Sequence, residues 1–368
     1  MKKSNTVIRR ELLLNMLISR KGNGMVKVIT GMRRSGKSFL LFNLFHAHLL
    51  SRGVDERHII KVDLEDRHNM PLRNPDALMA YIDSRLADDR MHYILLDEVQ
   101  FVPEFEDVLN SYLKVPNADV YVTGSNAKFL SKDVITEFRG RGDEVKVSPL
   151  SFREFLSARE GDREELLYEY MTYGGLPQVV LMQDTAQKAE YLGSLFAHTY
   201  MRDIKERHGI NKDGDLEELV TLMASNIGCL TNPAKLENCF RTVKKSGITQ
   251  DTIKVFLDLL QDAFLMEKSV RYDIKGKRYI STPAKYYFTD LGLRNARFNF
   301  RQTEFTHLLE NTVYNELRLR GMSVDVGQVP FMVRDADGKR RQSVLEVDFV
   351  CNQGCRRYYI QSAYSMPT

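Results

Sequence analysis

The sequence predicts an α/β fold: a parallel sheet with crossover helices over residues 1–150, then a longer helical stretch that ends in strands. Three observations predict it. Short apolar runs alternate with amphipathic stretches through the first part, as strands and crossover helices do. A glycine-rich loop joins the first of these runs to the stretch that follows it. Near Pro149 the alternation stops, and apolar residues continue at helical spacing to about His208.

The strands expected in the first part are Met25–Thr30, Ile59–Asp63, Tyr93–Leu96, Val120–Thr123 and Val145–Val147. Helices lie between them, among them Phe39–Arg52 and Pro75–Ala87. Ser151-Phe-Arg-Glu-Phe155 opens the helical run, which Tyr173-Gly-Gly-Leu-Pro177 interrupts with a turn. Gly209–Asp215 is polar and reads as a linker. Leu216–Ile227 is helical, and Asn232-Pro233 starts a second helix with a cap and a first-position proline. A third helix runs from Thr249 to Phe264. Lys268–Tyr272 and Arg278–Ser281, joined by a Lys275-Gly276-Lys277 turn, complete the helix order of a winged helix-turn-helix with its hairpin. Glu304–Arg320 is a helix, and the strands after it include Val344–Cys351 and Arg357–Tyr364. The expected divisions are 1–150, 151–209, 210–298 and 299–368.

Composition narrows the class. A chain of 368 residues suggests two or three domains. With 43% hydrophobic and 28% charged residues, it is neither disordered nor collagen-like. No apolar run approaches the roughly 18 residues needed to span a bilayer. The start, Met1-Lys2-Lys3-Ser4-Asn5, leads into an arginine-bearing stretch and not an apolar signal core, so the expected location is the cytoplasm, with no membrane partner. A net charge of +4 is too weak to mark a nucleic-acid binder, so any basic surface must be local. The four cysteines read as reduced thiols. Cys351 and Cys355 have hairpin spacing, but no second Cys or His pair lies near them in sequence, so no zinc cage is expected.

Gly31-Met-Arg-Arg-Ser-Gly36-Lys37-Ser38 fits G-x-x-x-x-G-K-[ST], and it stands between a strand and a helix, the setting that motif requires. Its glycines let backbone N–H groups turn inward toward phosphate oxygens, and the helix N-terminus adds partial positive charge. The phosphate-binding candidates are Gly31, Arg33, Arg34, Ser35, Gly36, Lys37, Ser38 and Phe39. Arg33 and Arg34 also admit a structural or partner-contacting role. Lys37 is expected at the β- and γ-phosphates and the Ser38 hydroxyl at Mg²⁺. Tyr93-Ile-Leu-Leu-Asp97-Glu98 supplies the other half: Asp97 for the metal, Glu98 as general base toward an attacking water. Val120-Tyr-Val-Thr123-Gly124-Ser125-Asn126 ends a third strand in small polar residues, with Ser125 or Asn126 as γ-phosphate sensor. Phe138-Arg139-Gly140-Arg141-Gly142 offers an arginine to stabilise phosphoryl charge, in cis or across a subunit interface, or else a salt-bridged loop. No guanine-reading Asn-Lys-x-Asp stands in register, so ATP is the expected nucleotide.

With these residues in place, the chain resembles bacterial ATP-binding proteins in which an AAA-like P-loop module is joined to a restriction-endonuclease-like domain. The resemblance rests on Gly31–Ser38, Leu95–Gln100, Thr123-Gly-Ser125, Gly140-Arg141, Pro149–Phe155, Tyr173–Pro177, Leu309-Glu310-Asn311, Glu346-Val-Asp348-Phe349 and Ile360-Gln361. It implies an additional-strand P-loop sheet, a helical lid, a winged helix, and Arg141 over Arg139 as the arginine finger. It also implies a nuclease-type site at Glu310, Asp348 and the third motif. That motif reads Gln361-Ser362-Ala363, an amide where a carboxylate belongs and no lysine, so cleavage of DNA is not expected.

The hairpin Arg271–Tyr279 carries Arg271, Lys275, Lys277 and Arg278, suited to phosphate-backbone contact. The helix before it holds Asp251, Asp258 and Asp262 with Lys254 alone, which suits base reading poorly. The sequence therefore predicts a Mg²⁺-dependent ATPase that moves its later domains. The alternatives are an ATP-gated switch with negligible turnover and an ATP-coupled nuclease. Double-stranded DNA or a protein is the expected partner, and self-association is open.

Overall fold

A computed structural model describes residues 7–124, 140–202, 204–205, 213–244, 247–301, 304–334 and 340–364. The chain divides into two compact units, Met1–Leu150 and Ser151–Thr368. Among the described residues, no helix is long and apolar enough to cross a membrane.

In the first unit, β1 (Val26–Thr30), β2 (Ile59–Asp63), β3 (His92–Asp97), β4 (Ala118–Thr123) and β5 (Gly142–Lys146) form one sheet in the order β2-β3-β4-β1-β5. Every pairing is parallel, and β4 lies between β1 and β3. Helices cover both faces, which is why these strands read as near-continuous apolar runs. On one face, Val26, Val28, Ile94, Leu96, Val120 and Val122 pack against α4 (Pro75–Asp83) and α5 (Phe105–Tyr112). On the other, Ile29, Leu95 and Tyr121 pack against α1 (Glu11–Ser19), a π-helical turn (Leu40–Phe45) that continues the short α2 (Lys37–Phe39), and α3 (His46–Ser51). Asn74 caps α4 through Ala77 N–H, and Pro75 fills the first position, where a missing N–H costs nothing.

The second unit begins with α6 (Phe152–Leu156), α7 (Arg163–Tyr173), α8 (Pro177–Val180) and α9 (Thr185–Leu195). Then come α10 (Asp213–Ser225), α11 (Pro233–Cys239) and α12 (Gln250–Asp262). Ser151 and Glu154 close a reciprocal capping box on α6. The hairpin β6 (Met266–Asp273) and β7 (Arg278–Phe288) follows, then α13 (Leu291–Ala296) and α14 (Phe305–Leu319). The last strands are β8 (Ser323–Arg334), β9 (Arg340–Gln353) and β10 (Arg356–Ile360).

Two expectations change here. The hairpin expected to be a free wing belongs to a five-stranded sheet, β10-β9-β8-β6-β7, so one sheet crosses the expected boundary at 298/299. The join is a parallel pairing of Arg271–Asp273 with Val326–Gln328. Strand β7 also runs seven residues past the expected Ser281, through Pro283 to Phe288. It is an edge strand, where a proline removes no ladder hydrogen bond. The polar segment 209–215 is described only from Asp213, which starts α10.

Candidate nucleotide site

The glycine-rich loop follows β1 at its C-terminal end, and two glycines set its path. A Cβ on Gly31 would lie 2.1 Å from the Val147 carbonyl oxygen, at a φ of +132°. Gly36 takes φ +94° as the residue that starts α2. Both conformations are ones L side chains avoid. Arg34 also sits at positive φ, exposed, whereas Arg33 is half-buried. The buried Ser35 hydroxyl donates to Met32 O at 2.8 Å, closing the loop on itself. Ser38 and Phe39 are exposed. Lys37 is buried, its ammonium donating to Gly31 O at 3.0 Å and Met32 O at 3.1 Å.

Asp97 ends β3, which β4 separates from β1 in the sheet, and Glu98 follows it. The Asp97 carboxylate accepts a hydrogen bond from the Thr123 hydroxyl, and the Ser38 hydroxyl lies near enough to favour its charged form, so the phosphate loop and the acidic strand end converge. Thr123, at the end of the intervening β4, also accepts from Glu98 N–H at 3.0 Å. Glu98 itself sits at φ +51°, half-buried, with Gln100 donating to its carboxylate. Burial pulls Lys37 down to about 8, against the opposing pull of Glu98 and Asp97. Burial lifts the Asp97 carboxyl to about 6, with Glu98 and Asp63 adding to it while the two hydroxyls oppose it.

That raised carboxyl has a measurable consequence. A carboxyl whose folded-state value lies above its ordinary one binds extra protons in the folded state between about pH 4 and pH 6. Stability therefore falls as pH rises through this window, and the whole penalty, up to about 3 kcal/mol, is present above it. Asp97→Asn is expected to raise the nucleotide-free protein's melting temperature at pH 8, with the gain shrinking toward pH 4. Differential scanning calorimetry at both pH values checks this; a gain that does not change with pH would refute it.

The other expected site residues fall elsewhere. Ser125, Asn126 and Arg139 lie outside the described residues. The Arg141 carbonyl accepts from Val26 N–H, which puts this arginine at the N-terminal end of β1, a strand length (roughly 16 Å) from the phosphate loop. Arg141 is exposed there, away from the phosphate loop of its own chain. In the second unit, Glu310 accepts from Lys285 at 2.9 Å and from the Tyr287 hydroxyl at 2.7 Å. Lys285 also reaches Glu346 at 2.6 Å. Asp348 accepts from Ser362 N–H at 2.8 Å, and its own N–H donates to Gln361 at 3.3 Å. These carboxylates are thus held by protein donors.

Of the hairpin cations, Arg271 is not available as a surface contact. Its guanidinium donates to Pro283 O, Thr282 O and Gln328 at 2.6–3.0 Å. Lys275, Lys277 and Arg278 are exposed, with Lys275 donating to Pro330 O and Arg278 3.4 Å from Asp273.

The sequence reading missed two participants. Thr123 was visible as part of its motif, and its position at the end of β4, between the two halves of the site, was the signal. Arg10 carried no signal: buried, it donates to Ser35 O at 2.8 Å, Ser148 O at 2.8 Å and Pro149 O at 3.1 Å, pinning the loop to the segment after β5.

Comparison with known proteins agrees with this geometry. Residues 23–156 match the AAA-domain family, and residues 164–304 match a domain of unknown function. The nuclease-like reading of the last part thus rests on sequence resemblance alone. An uncharacterized protein of Methanocaldococcus jannaschii is 27% identical over 335 residues, 87% of this chain and 71% of that one. Among solved structures, the Aeropyrum pernix ORC2 protein (ADPNP-ADP complexes) aligns over 80% of this chain and 94% of that one. At 13% identity and a TM-score of 0.42, that likeness carries no functional argument. An uncharacterized protein of Haemophilus influenzae is 35% identical over 370 residues, 99% of this chain and 88% of that one. The chain, an AAA-domain protein with a P-loop NTPase fold, belongs to the family of this Haemophilus influenzae protein.

Proposed function

We propose that the chain binds ATP with Mg²⁺ at the loop Gly31–Ser38 and hydrolyses it, coupling turnover to movement of its second unit. The observation that carries this reading is the convergence of Lys37 and Ser38 of the phosphate loop with Asp97 and Glu98 at the acidic strand end, close enough for each side to shift the other's proton affinity. A hydroxyl and a carboxylate are hard oxygen donors, so these residues fit Mg²⁺. The bound ion would neutralise charge between the β- and γ-phosphates. Lys37 would leave the Gly31 and Met32 carbonyls for phosphate oxygens, which replace two neutral acceptors with charged ones. Glu98, whose N–H is held by Thr123, would take a proton from the attacking water. The exposed Lys275, Lys277 and Arg278 support duplex DNA as the partner, through its phosphates.

The test is nucleotide binding with and without Mg²⁺, followed by steady-state hydrolysis with and without duplex and single-stranded DNA. Ser38→Ala is expected to weaken binding about tenfold or more in Mg²⁺ and to change little without it. Tight binding with negligible turnover under every condition would replace the ATPase by an ATP-gated switch. Turnover indifferent to either DNA would remove DNA as the partner.

A further inference from the structure

At the opposite end of the sheet from the phosphate loop, three residues converge that the nucleotide site does not use. His58 directly precedes β2 and His92 opens β3, and the register Ile59–Tyr93 sets the two histidines side by side on neighbouring strands. Their rings meet edge to face, with centroids 4.8 Å apart. His58 is 4% exposed and His92 is fully buried. Asp88, in the loop before β3, brings its carboxylate to 3.1 Å from His58 Nε2, and one ligating atom from each of the three residues lies within 4.8 Å of the others.

His92 makes this more than an ion pair. Both of its ring nitrogens are buried without a hydrogen-bond partner. A neutral imidazole has one donor and one acceptor to satisfy, and leaving them bare in the interior is costly. Folded proteins rarely leave such a group unanswered unless a water or ion meets it. The surroundings are also organised. Arg90 grips Asp88 Oδ2 through Nε at 3.0 Å and Nη2 at 2.7 Å, the kind of hydrogen bonding that orients a ligating carboxylate. Asn117 ties the two segments together, its carbonyl accepting from His92 N–H at 2.7 Å and its side-chain amide donating to Asp88 O at 2.8 Å.

We propose that His58, Asp88 and His92 form a zinc site. Two imidazoles and one carboxylate suit Zn²⁺, with a fourth position left for water on the half-exposed Asp88 side. Ligands at about 2.0–2.1 Å from a tetrahedral ion are about 3.3 Å apart, close to the present His58–Asp88 separation, so the carboxylate need hardly move. His92 closes the site by turning an already unpartnered nitrogen onto the ion. The neighbouring strands β2 and β3 and the Asp88 loop would then be clamped at one point, distant from the nucleotide.

The experiment uses the full chain, free of any histidine tag and of nucleotide, stripped with chelator and kept in excess Mg²⁺ to fill the hard-oxygen site. Calorimetric titration with Zn²⁺ and visible spectra with Co²⁺ are the readouts. One equivalent of Zn²⁺ is expected to bind, and Co²⁺ to give the intense bands of a four-coordinate ion. His92→Phe, which keeps a ring in the core, and Asp88→Asn, at a half-exposed position, are each expected to weaken Zn²⁺ more than the 10- to 100-fold typical of losing an outer-shell partner. Thermal unfolding of each variant shows that it is folded, and Asp88→Asn decides the matter should His92→Phe not fold. No Zn²⁺ or Co²⁺ bound by the folded wild type overturns the proposal. So does binding that survives both substitutions, which would move the metal elsewhere, as to Cys351 and Cys355.

Discussion

Glu98→Gln is expected to keep ATP binding while hydrolysis falls by about 10²- to 10⁴-fold, the range a positioned general base supplies. The substitution removes little else. Glutamine has the same shape, its N–H can still donate to Thr123, and its side chain can still meet Gln100. Glu98 holds a left-handed φ of +51°, a conformation whose cost glutamate and glutamine, both unbranched and equally long, bear alike, so the backbone cost cancels in the comparison. The one property lost is the ability to accept a proton. Lys37→Ala is the contrasting control and should lose affinity for ATP. Steady-state turnover beside equilibrium binding separates the two, and wild-type turnover in Glu98→Gln would remove Glu98 from the chemistry.

The second large effect lies in β1, the strand that delivers the phosphate loop. Lys27 is fully buried in an otherwise apolar strand, and its ammonium meets the Asp119 carboxylate and Met25 O. Burial lowers the Lys27 ammonium's affinity for its proton, with Asp119 opposing this. Asp119 accepts in addition from Gly22 N–H and the Tyr121 hydroxyl, each at 3.0 Å. Lys27→Met strands that carboxylate in the interior, and the expected loss is about 3–5 kcal/mol. Lys27→Met together with Asp119→Asn should recover much of it, because the stranded charge is gone while the amide oxygen can still accept from Gly22 N–H or the Tyr121 hydroxyl. Denaturant unfolding of both variants decides; equal losses would show that the methionine's packing, and not the stranded charge, is responsible.

The first unit was legible because its strands are buried on both faces and announce themselves as apolar runs. Strand β2 was predicted to the residue, whereas β5 was placed three residues late. Its true start, Gly142-Asp143-Glu144, is polar, and it is specified by pairing with β1, a contact that local composition does not encode. Two motifs that carried the resemblance gain physical reasons. Tyr173–Pro177 is one: Gly174, at φ +75°, leaves no room for a Cβ against the Asp290 carboxylate, which accepts from Gly175 N–H. Asn311 is another, its amide bonding both the N–H and the carbonyl of Phe288. The loop lysine and serine and the acidic pair could be picked out as candidates because the former stand in a fixed-spacing motif after a strand and the latter close an apolar run. Arg10 and the His58–Asp88–His92 cluster were not, since the residues are joined by strand register and not by spacing along the chain.

The parallel pairing of β6 with β8 also bears on the order in which the chain can fold. All five strands of the first sheet are complete by Lys146, so an emerging chain can close that unit early. In the second unit, β6 meets one neighbour, β7, within a few residues, but its other neighbour arrives only with β8. Until then the hairpin offers an unpaired row of backbone donors and acceptors, the kind of edge that recruits a strand from another molecule. The interval between residues 288 and 323 is thus the chain's exposure to aggregation during synthesis, and truncations ending within it should be the least soluble.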